Sequence, residues 1–117
     1  MKTIVSALLL SAWAHAAYAC PTLESAEPRV GSVASGEVSR VALHFSGAII
    51  PASSTLSVSR MPSQKVSIGQ ALADSKDDRS IAIAVAAPLA PGQYKVEWRV
   101  LCECGSFVPG SYKFTVR

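Results

Sequence analysis

The sequence predicts an all-β protein, an antiparallel Greek-key β-sandwich or barrel. Several short segments alternate between apolar and polar residues, which is typical of strands with one buried face. Clusters of glycine and proline separate these segments, and no segment has a convincing helical period. We assign the domain to residues 20–117, because a chain of about 100 residues is enough for one such sandwich.

Residues 1–19 are predicted to be a signal peptide. Lys2 supplies a positive charge, residues 4–13 form an apolar run too short to cross a bilayer, and residues 17–19 (Ala-Tyr-Ala) suit a signal peptidase. Cleavage after Ala19 would make Cys20 the first residue of the exported protein. A cysteine there is also typical of bacterial lipoproteins, but the bulky Tyr18 fits their cleavage pattern poorly.

The first half of the domain contains two clear strands. Residues 23–28 are predicted to form a short strand ended by proline, and Gly31 and Gly36 bracket a polar turn. Residues 38–45 form a strand that buries Val41, Leu43 and Phe45 and exposes the residues between them. Residues 55–60 form another, with Leu56 and Val58 inward. Residues 65–69 are a candidate short strand, and the acidic residues 71–78 are predicted to be a loop.

The second half contains the longest strand. Residues 80–85 alternate with Ile81, Ile83 and Val85 on one face, and residues 88–92 carry a strong Pro-Gly turn signal. Residues 93–101 follow, with Tyr94, Val96, Trp98 and Val100 on the buried face. Residues 111–117 close the fold.

Composition and motifs argue against several classes of function. The net charge is only +3 and the basic residues are scattered, so the sequence gives no reason to expect nucleic-acid binding. His44 is predicted on the solvent face of its strand with no second residue directed at it, and Asp74, Asp77 and Asp78 fit a solvated loop. The chain has no glycine-rich phosphate loop. We therefore do not expect an enzyme.

The three cysteines are the most informative residues, because an odd number cannot pair fully within one exported chain. Cys102 and Cys104 are two residues apart, so in extended backbone they point to the same side. Thiolates are good ligands for Cu(I) and zinc, and Cys20 would add its own thiolate and the new α-amine. Cys20, Cys102 and Cys104 are therefore the predicted metal ligands. The alternatives are a disulfide from Cys20 to one of the other two, or an oxidised Cys102–Cys104 pair.

Several motifs resemble those of the CopC family of periplasmic copper-resistance proteins. Residues 20–32 (CPTLESAEPRVGS) resemble the family's opening, and residues 41–46 (VALHFS) resemble its Leu-x-Phe-Ser strand. Residues 89–100 (LAPGQYKVEWRV) are similar to its most specific motif, and residues 110–116 (GSYKFTV) resemble its closing strand. The resemblance covers nearly the whole domain and implies an immunoglobulin-like Greek-key sandwich that binds copper in the periplasm. It also implies an inner-membrane copper protein, CopD, as a partner.

The resemblance implies a Cu(II) site made of an N-terminal histidine with its amine, an aspartate and a second histidine. In this chain those three positions are Cys20, Cys104 and Ser106, and Cys102 replaces a serine beside them. The methionine-rich Cu(I) loop is also missing, since Met61 is the only methionine after residue 19. We therefore expect a periplasmic monomer that holds a copper ion, Cu(I) rather than Cu(II), through the three cysteines. The alternative is a disulfide-stabilised interaction module that has lost its metal.

Overall fold

The structure is a computed structural model that describes residues 20–74 and 77–117. The predicted signal peptide lies outside the described residues. No helix in the described part is long and apolar enough to cross a membrane. The strands are β1 (Leu23–Glu27), β2 (Val33–Ala34), β3 (Arg40–Phe45), β4 (Thr55–Arg60), β5 (Gln64–Lys65), β6 (Ser67–Ala73), β7 (Ser80–Val85), β8 (Gly92–Leu101) and β9 (Phe107–Val116).

The strands form two sheets, which confirms the predicted all-β sandwich. One sheet has the order β1-β3-β7-β6, and the other has the order β2-β9-β8-β4-β5. All strand pairs are antiparallel except β2 with β9, where Val33 and Ala34 lie parallel to Thr115 and Val116. The longest ladder joins β8 to β9, from Gly92 opposite Val116 to Leu101 opposite Phe107. This hairpin carries the two neighbouring cysteines at its end.

The core lies between the sheets and is built from the strand faces that alternation predicts. In β3, Val41, Leu43 and Phe45 are buried while the intervening residues are more exposed. The same parity holds in β4, β7, β8 and β9, whose buried apolar residues are Leu56, Val58, Ile81, Ile83, Val85, Tyr94, Val96, Val100, Tyr112, Phe114 and Val116. Removing such side chains from water is the main favourable term in folding.

Several predicted boundaries are wrong. The segment 71–78 is not entirely loop, because β6 continues to Ala73 and buries Ala71. The turn between Gly31 and Gly36 contains the short strand β2, and β9 begins four residues before the predicted strand at 111. Conversely, β3 begins at Arg40 rather than at residue 38. These differences arise because pairing with a neighbouring strand sets strand length, and alternation within one segment does not report that pairing.

Two tyrosines fasten loops to the sandwich. The Tyr94 hydroxyl donates a 2.6 Å hydrogen bond to the carbonyl of Ala90, and its ring stacks on Phe114. The Tyr112 hydroxyl donates a 2.6 Å bond to the carbonyl of Pro28, just after β1. Burial raises the pKa of Tyr112, and the nearby Glu27 carboxylate raises it further. Both rings thus contribute apolar area while their hydroxyls remain hydrogen-bonded.

Trp98 packs on the core face of β8, as the strand parity predicts, although it is only partly buried. Its aromatic neighbours are Phe45, at a centroid distance of 6.0 Å, and Tyr112, at 6.1 Å. Gly110 lies directly opposite Trp98 in the β8–β9 ladder. A Cβ atom on Gly110 would lie less than 3.0 Å from Cζ2, Cε2 and Nε1 of the indole. The absence of a side chain at 110 therefore creates the space that the indole occupies.

Gly110→Ala is expected to destabilise the fold by about 1–3 kcal/mol, because the new methyl group displaces the indole or the strand. The measurement is denaturant unfolding followed by far-ultraviolet circular dichroism. Ser111→Ala, at an exposed position on the same strand, serves as the matched control and should change the stability by no more than about 0.5 kcal/mol. Equal stabilities for the two variants would show that the indole does not need Gly110.

Candidate metal centre

The first part of the candidate centre is the turn that joins β8 to β9. Cys102 is 2 % exposed, whereas Cys104 is exposed. The Cys102 N–H donates to the carbonyl of Ser106 at 3.0 Å, and the Gly105 N–H donates to the carbonyl of Cys102 at 2.9 Å. Gly105 has a φ of +91°, a conformation that favours glycine and lets the chain reverse here. The turn is therefore closed by backbone hydrogen bonds that do not involve sulfur.

The second part is the N-terminal segment of the domain. Cys20 is exposed, but Pro21 is buried and lies against Gly47, where a Cβ atom would be 3.5 Å from the proline Cγ. The carbonyl of Thr22 accepts a 2.8 Å hydrogen bond from the Ser46 N–H, and the Thr22 N–H donates to Ser46 Oγ at 3.0 Å. These contacts fix the direction in which the chain leaves the sandwich before Thr22.

A short connector, residues 46–50, contacts both parts. Ser46 holds the N-terminal segment, and three residues later Ile49 pairs with Cys102 in an isolated antiparallel bridge. The Ile50 N–H donates to the carbonyl of Leu101 at 2.8 Å. The N-terminal segment and the cysteine turn therefore attach to the same few residues at one end of the sandwich.

The structure pairs two of the three predicted ligands with each other. Cys102 and Cys104 form a disulfide with an S–S distance of 2.01 Å and a Cα–Cα distance of 5.2 Å, and Cys20 is the free cysteine. The sequence leaves open a disulfide from Cys20 to either of the other cysteines or a disulfide between Cys102 and Cys104. The structure contains the Cys102–Cys104 disulfide. Within residues 20–74 and 77–117, no group of three or more His, Cys, Asp or Glu side chains is arranged to hold a metal ion.

The disulfide determines what the turn can do chemically. Disulfide sulfur carries no thiolate charge, and the thiolate is the form of cysteine that binds metal. Reduction would supply two thiols on this turn, whose backbone hydrogen bonds do not involve sulfur. The oxidised turn therefore has no thiolate to offer a metal ion, and the reduced turn would have two.

His44 has partners that sequence reasoning missed. Its ring is partly buried, with 36 % of the side chain exposed, and its Nδ1 lies 2.7 Å from Ser80 Oγ and 3.3 Å from Asp77 Oδ2. Its Nε2 lies 3.6 Å from Glu24 Oε1. The expectation that no second residue is directed at His44 is therefore wrong. Glu24, Asp77 and Ser80 come from different segments, and no local motif joins them to His44.

Fold and site together define a class of protein: a small two-sheet sandwich with a sulfur-bearing turn beside the start of its domain. The chain belongs to the CopC family, whose domain matches residues 23–117. This membership places it among copper-resistance proteins.

The chain is similar to three characterised proteins of this family. It is 30 % identical over 115 residues to copper resistance protein C of Pseudomonas syringae pv. tomato, covering 94 % of this chain and 88 % of that one. The structure of CopC from Methylosinus trichosporium OB3b superposes with a TM-score of 0.76 at 30 % identity, covering 83 % of this chain and 93 % of that one. PcoC, a methionine-rich copper resistance protein from Escherichia coli, gives a TM-score of 0.74 at 26 % identity, with coverages of 85 % and 100 %. The present chain has only 2 methionines, so it does not share that richness.

Proposed function

We propose that this protein binds copper in the periplasm for buffering, delivery or resistance, and that it holds Cu(I) through Cys20, Cys102 and Cys104. The observation that carries the proposal is the shared connector, since residues 46–50 contact both the N-terminal segment and the cysteine turn. Membership of a copper-resistance family supports the choice of copper. We expect the protein to act as a monomer after loss of residues 1–19, with an inner-membrane CopD-like protein as a candidate partner.

The choice of Cu(I) follows from the donor atoms. Thiolates are soft ligands and select Cu(I), whereas a Cu(II) site prefers nitrogen and oxygen donors. The exposed Ser106 occupies the position where the family resemblance implies a histidine, so this end of the sandwich has lost an imidazole. The same loss argues for binding rather than oxidative catalysis, and we propose no enzymatic activity.

The disulfide makes the proposed site dependent on redox state. Opening the Cys102–Cys104 bond takes two electrons and two protons from an external dithiol, and each thiol then loses its proton when copper binds. The backbone hydrogen bonds of the turn do not involve sulfur, so we expect both sulfurs to remain at one end of the hairpin after reduction. Of its three cysteines, the oxidised protein would offer copper a thiol only at the exposed Cys20.

The disulfide also favours a second candidate function. If it is permanent, the turn is a cross-linked loop, and the protein is an interaction module that contacts a partner through its loops. Such a protein would fold identically and would have no tight copper site. The two candidates differ in one measurable property, which is Cu(I) affinity after reduction.

The test is an anaerobic Cu(I) titration of the full chain against a chromophoric chelator, before and after phosphine reduction and desalting. We expect one titratable thiol before reduction and three after it, with one equivalent of Cu(I) held tightly only in the second case. Three titratable thiols without copper retention would reject the copper proposal and support the interaction module. A chain that never shows more than one thiol would do the same.

A further inference from the structure

The feature behind the inference is the position of Glu24 in a β-bulge. The register of β1 against β3 shifts between Leu23, opposite Phe45, and Ser25, opposite His44. Glu24 and Ser25 are consequently both exposed, although neighbouring residues of a regular strand point to opposite faces. A bulge redirects a side chain in this way, and here it brings the Glu24 carboxylate to the same sheet face as His44.

The imidazole of His44 is oriented through its other nitrogen. Asp77 holds its own position because its Oδ1 accepts the Arg79 N–H at 2.9 Å, while its Oδ2 faces His44 Nδ1. With its proton on Nδ1, the imidazole donates towards Asp77 Oδ2 and Ser80 Oγ, which both accept. In that tautomer the Nε2 lone pair faces Glu24, and it is the tautomer that a metal ion on Nε2 requires.

Two atoms that can bind a metal ion, His44 Nε2 and Glu24 Oε1, lie 3.6 Å apart. Either a proton or a metal cation must lie between them for the contact to be favourable. An ion at ordinary ligand distances, about 2.0–2.1 Å from each atom, would see them at roughly 120°, near the tetrahedral angle. The pair is accessible to water, with 36 % of the His44 side chain and 52 % of the Glu24 side chain exposed, so solvent can complete the coordination.

The surrounding charge also favours a cation. A shallow depression next to His44 is lined by Glu27 and Asp74, which adds two carboxylates to those of Glu24 and Asp77. Arg40 pairs with Asp74, and Arg79 lies 3.9 Å from Asp77. Among the described residues that line or contact this site, four carboxylates therefore stand against two guanidinium groups.

We propose that Glu24 and His44 form a second metal site, for a borderline divalent cation, on the outer face of the β1-β3-β7-β6 sheet. Asp77 and Ser80 hold the imidazole in the tautomer that binds, as outer partners of histidine ligands do. Imidazole with carboxylate suits Cu(II) and Zn(II), and Cu(II) binds such donors more tightly. This site has no sulfur, and it does not depend on the cysteine turn.

The test uses Cu(II) and the full chain carrying His15→Gln and Cys20→Ser, with the Cys102–Cys104 disulfide intact. His44 is then the only imidazole, since the sequence contains 2 histidines. Electron spin echo spectroscopy should show modulation from the remote nitrogen of one coordinated imidazole. His44→Gln should abolish that modulation, and Asp77→Asn should lower the Cu(II) affinity about 10–100-fold.

Glu24→Gln provides a readout that does not risk the fold, because its side chain is at the surface. It should weaken Cu(II) at least tenfold, while Glu97→Gln, at an exposed glutamate of β8 in the other sheet, should leave the affinity unchanged. Equal affinities for these two variants would overturn the proposal. Absence of imidazole modulation in the parent chain would overturn it too, and would assign His44 to a simple ion pair. Neither outcome bears on Cu(I) binding by the cysteines.

Discussion

Cys104→Ser is expected to lower the Cu(I) affinity of the reduced protein by a factor of a hundred or more, which is about 2.8 kcal/mol of binding free energy. Cys104 is the exposed sulfur of the turn, and a hydroxyl is a poor ligand for a soft ion. The substitution also prevents the Cys102–Cys104 disulfide, so the affinity should no longer depend on prior reduction. The measurement is chelator competition under anaerobic conditions, before and after phosphine treatment.

His44→Ala is the matched control for Cys104→Ser. His44 lies on the outer face of the other sheet and contributes nothing to the proposed thiolate site, so Cu(I) affinity should be unchanged. If the two substitutions weaken Cu(I) equally, the ligands have been assigned to the wrong residues.

Trp98→Ala is expected to destabilise the fold by about 3 kcal/mol, the lower end of the range for aromatic core residues. The low end applies because the indole is only partly buried, although it packs against Phe45 and Tyr112. The substitution leaves a cavity between the two sheets, and Gly110, which has no side chain, cannot fill it. Denaturant unfolding of the oxidised protein, followed by circular dichroism, measures the free energy of unfolding.

Two further variants test whether the stability lost in Trp98→Ala comes from loss of the packed aromatic ring. Trp98→Phe keeps an aromatic ring and should recover more than half of the lost stability. Gln93→Ala, at an exposed position of the same strand, should stay within about 0.5 kcal/mol of the parent. A Trp98→Ala protein as stable as Gln93→Ala would contradict the packing described for β8.

Most of the fold could be predicted because its signals are local. The alternation of Val41, Leu43 and Phe45 with more polar neighbours reports one buried face, whichever strands lie beside it. The parity that directs Tyr94, Val96 and Val100 inward is likewise a property of β8 alone. The extension of β6 to Ala73 could not be predicted, because Ile68 and Leu72 are exposed and only pairing with β7 keeps this segment extended.

The candidate site could be predicted less completely. Cys20, Cys102 and Cys104 stand out by residue type, and their positions relative to the family motifs single them out further. Which two of them pair is a question of distance, and distance depends on how the turn closes. Two hydrogen bonds set that geometry, from the Cys102 N–H to the carbonyl of Ser106 and from the Gly105 N–H to the carbonyl of Cys102. The three-thiolate site itself stays a prediction.

The sequence by itself determined the sandwich, the strand faces and the family, because side-chain period and turn residues are read within a few positions. Only the tertiary structure decided that Cys102 pairs with Cys104, that β2 lies parallel to β9, and that Glu24, Asp77 and Ser80 surround His44. The disulfide depends on how the turn closes. The other two features depend on strand register, and a shift of one residue moves every side chain of a strand to the opposite face.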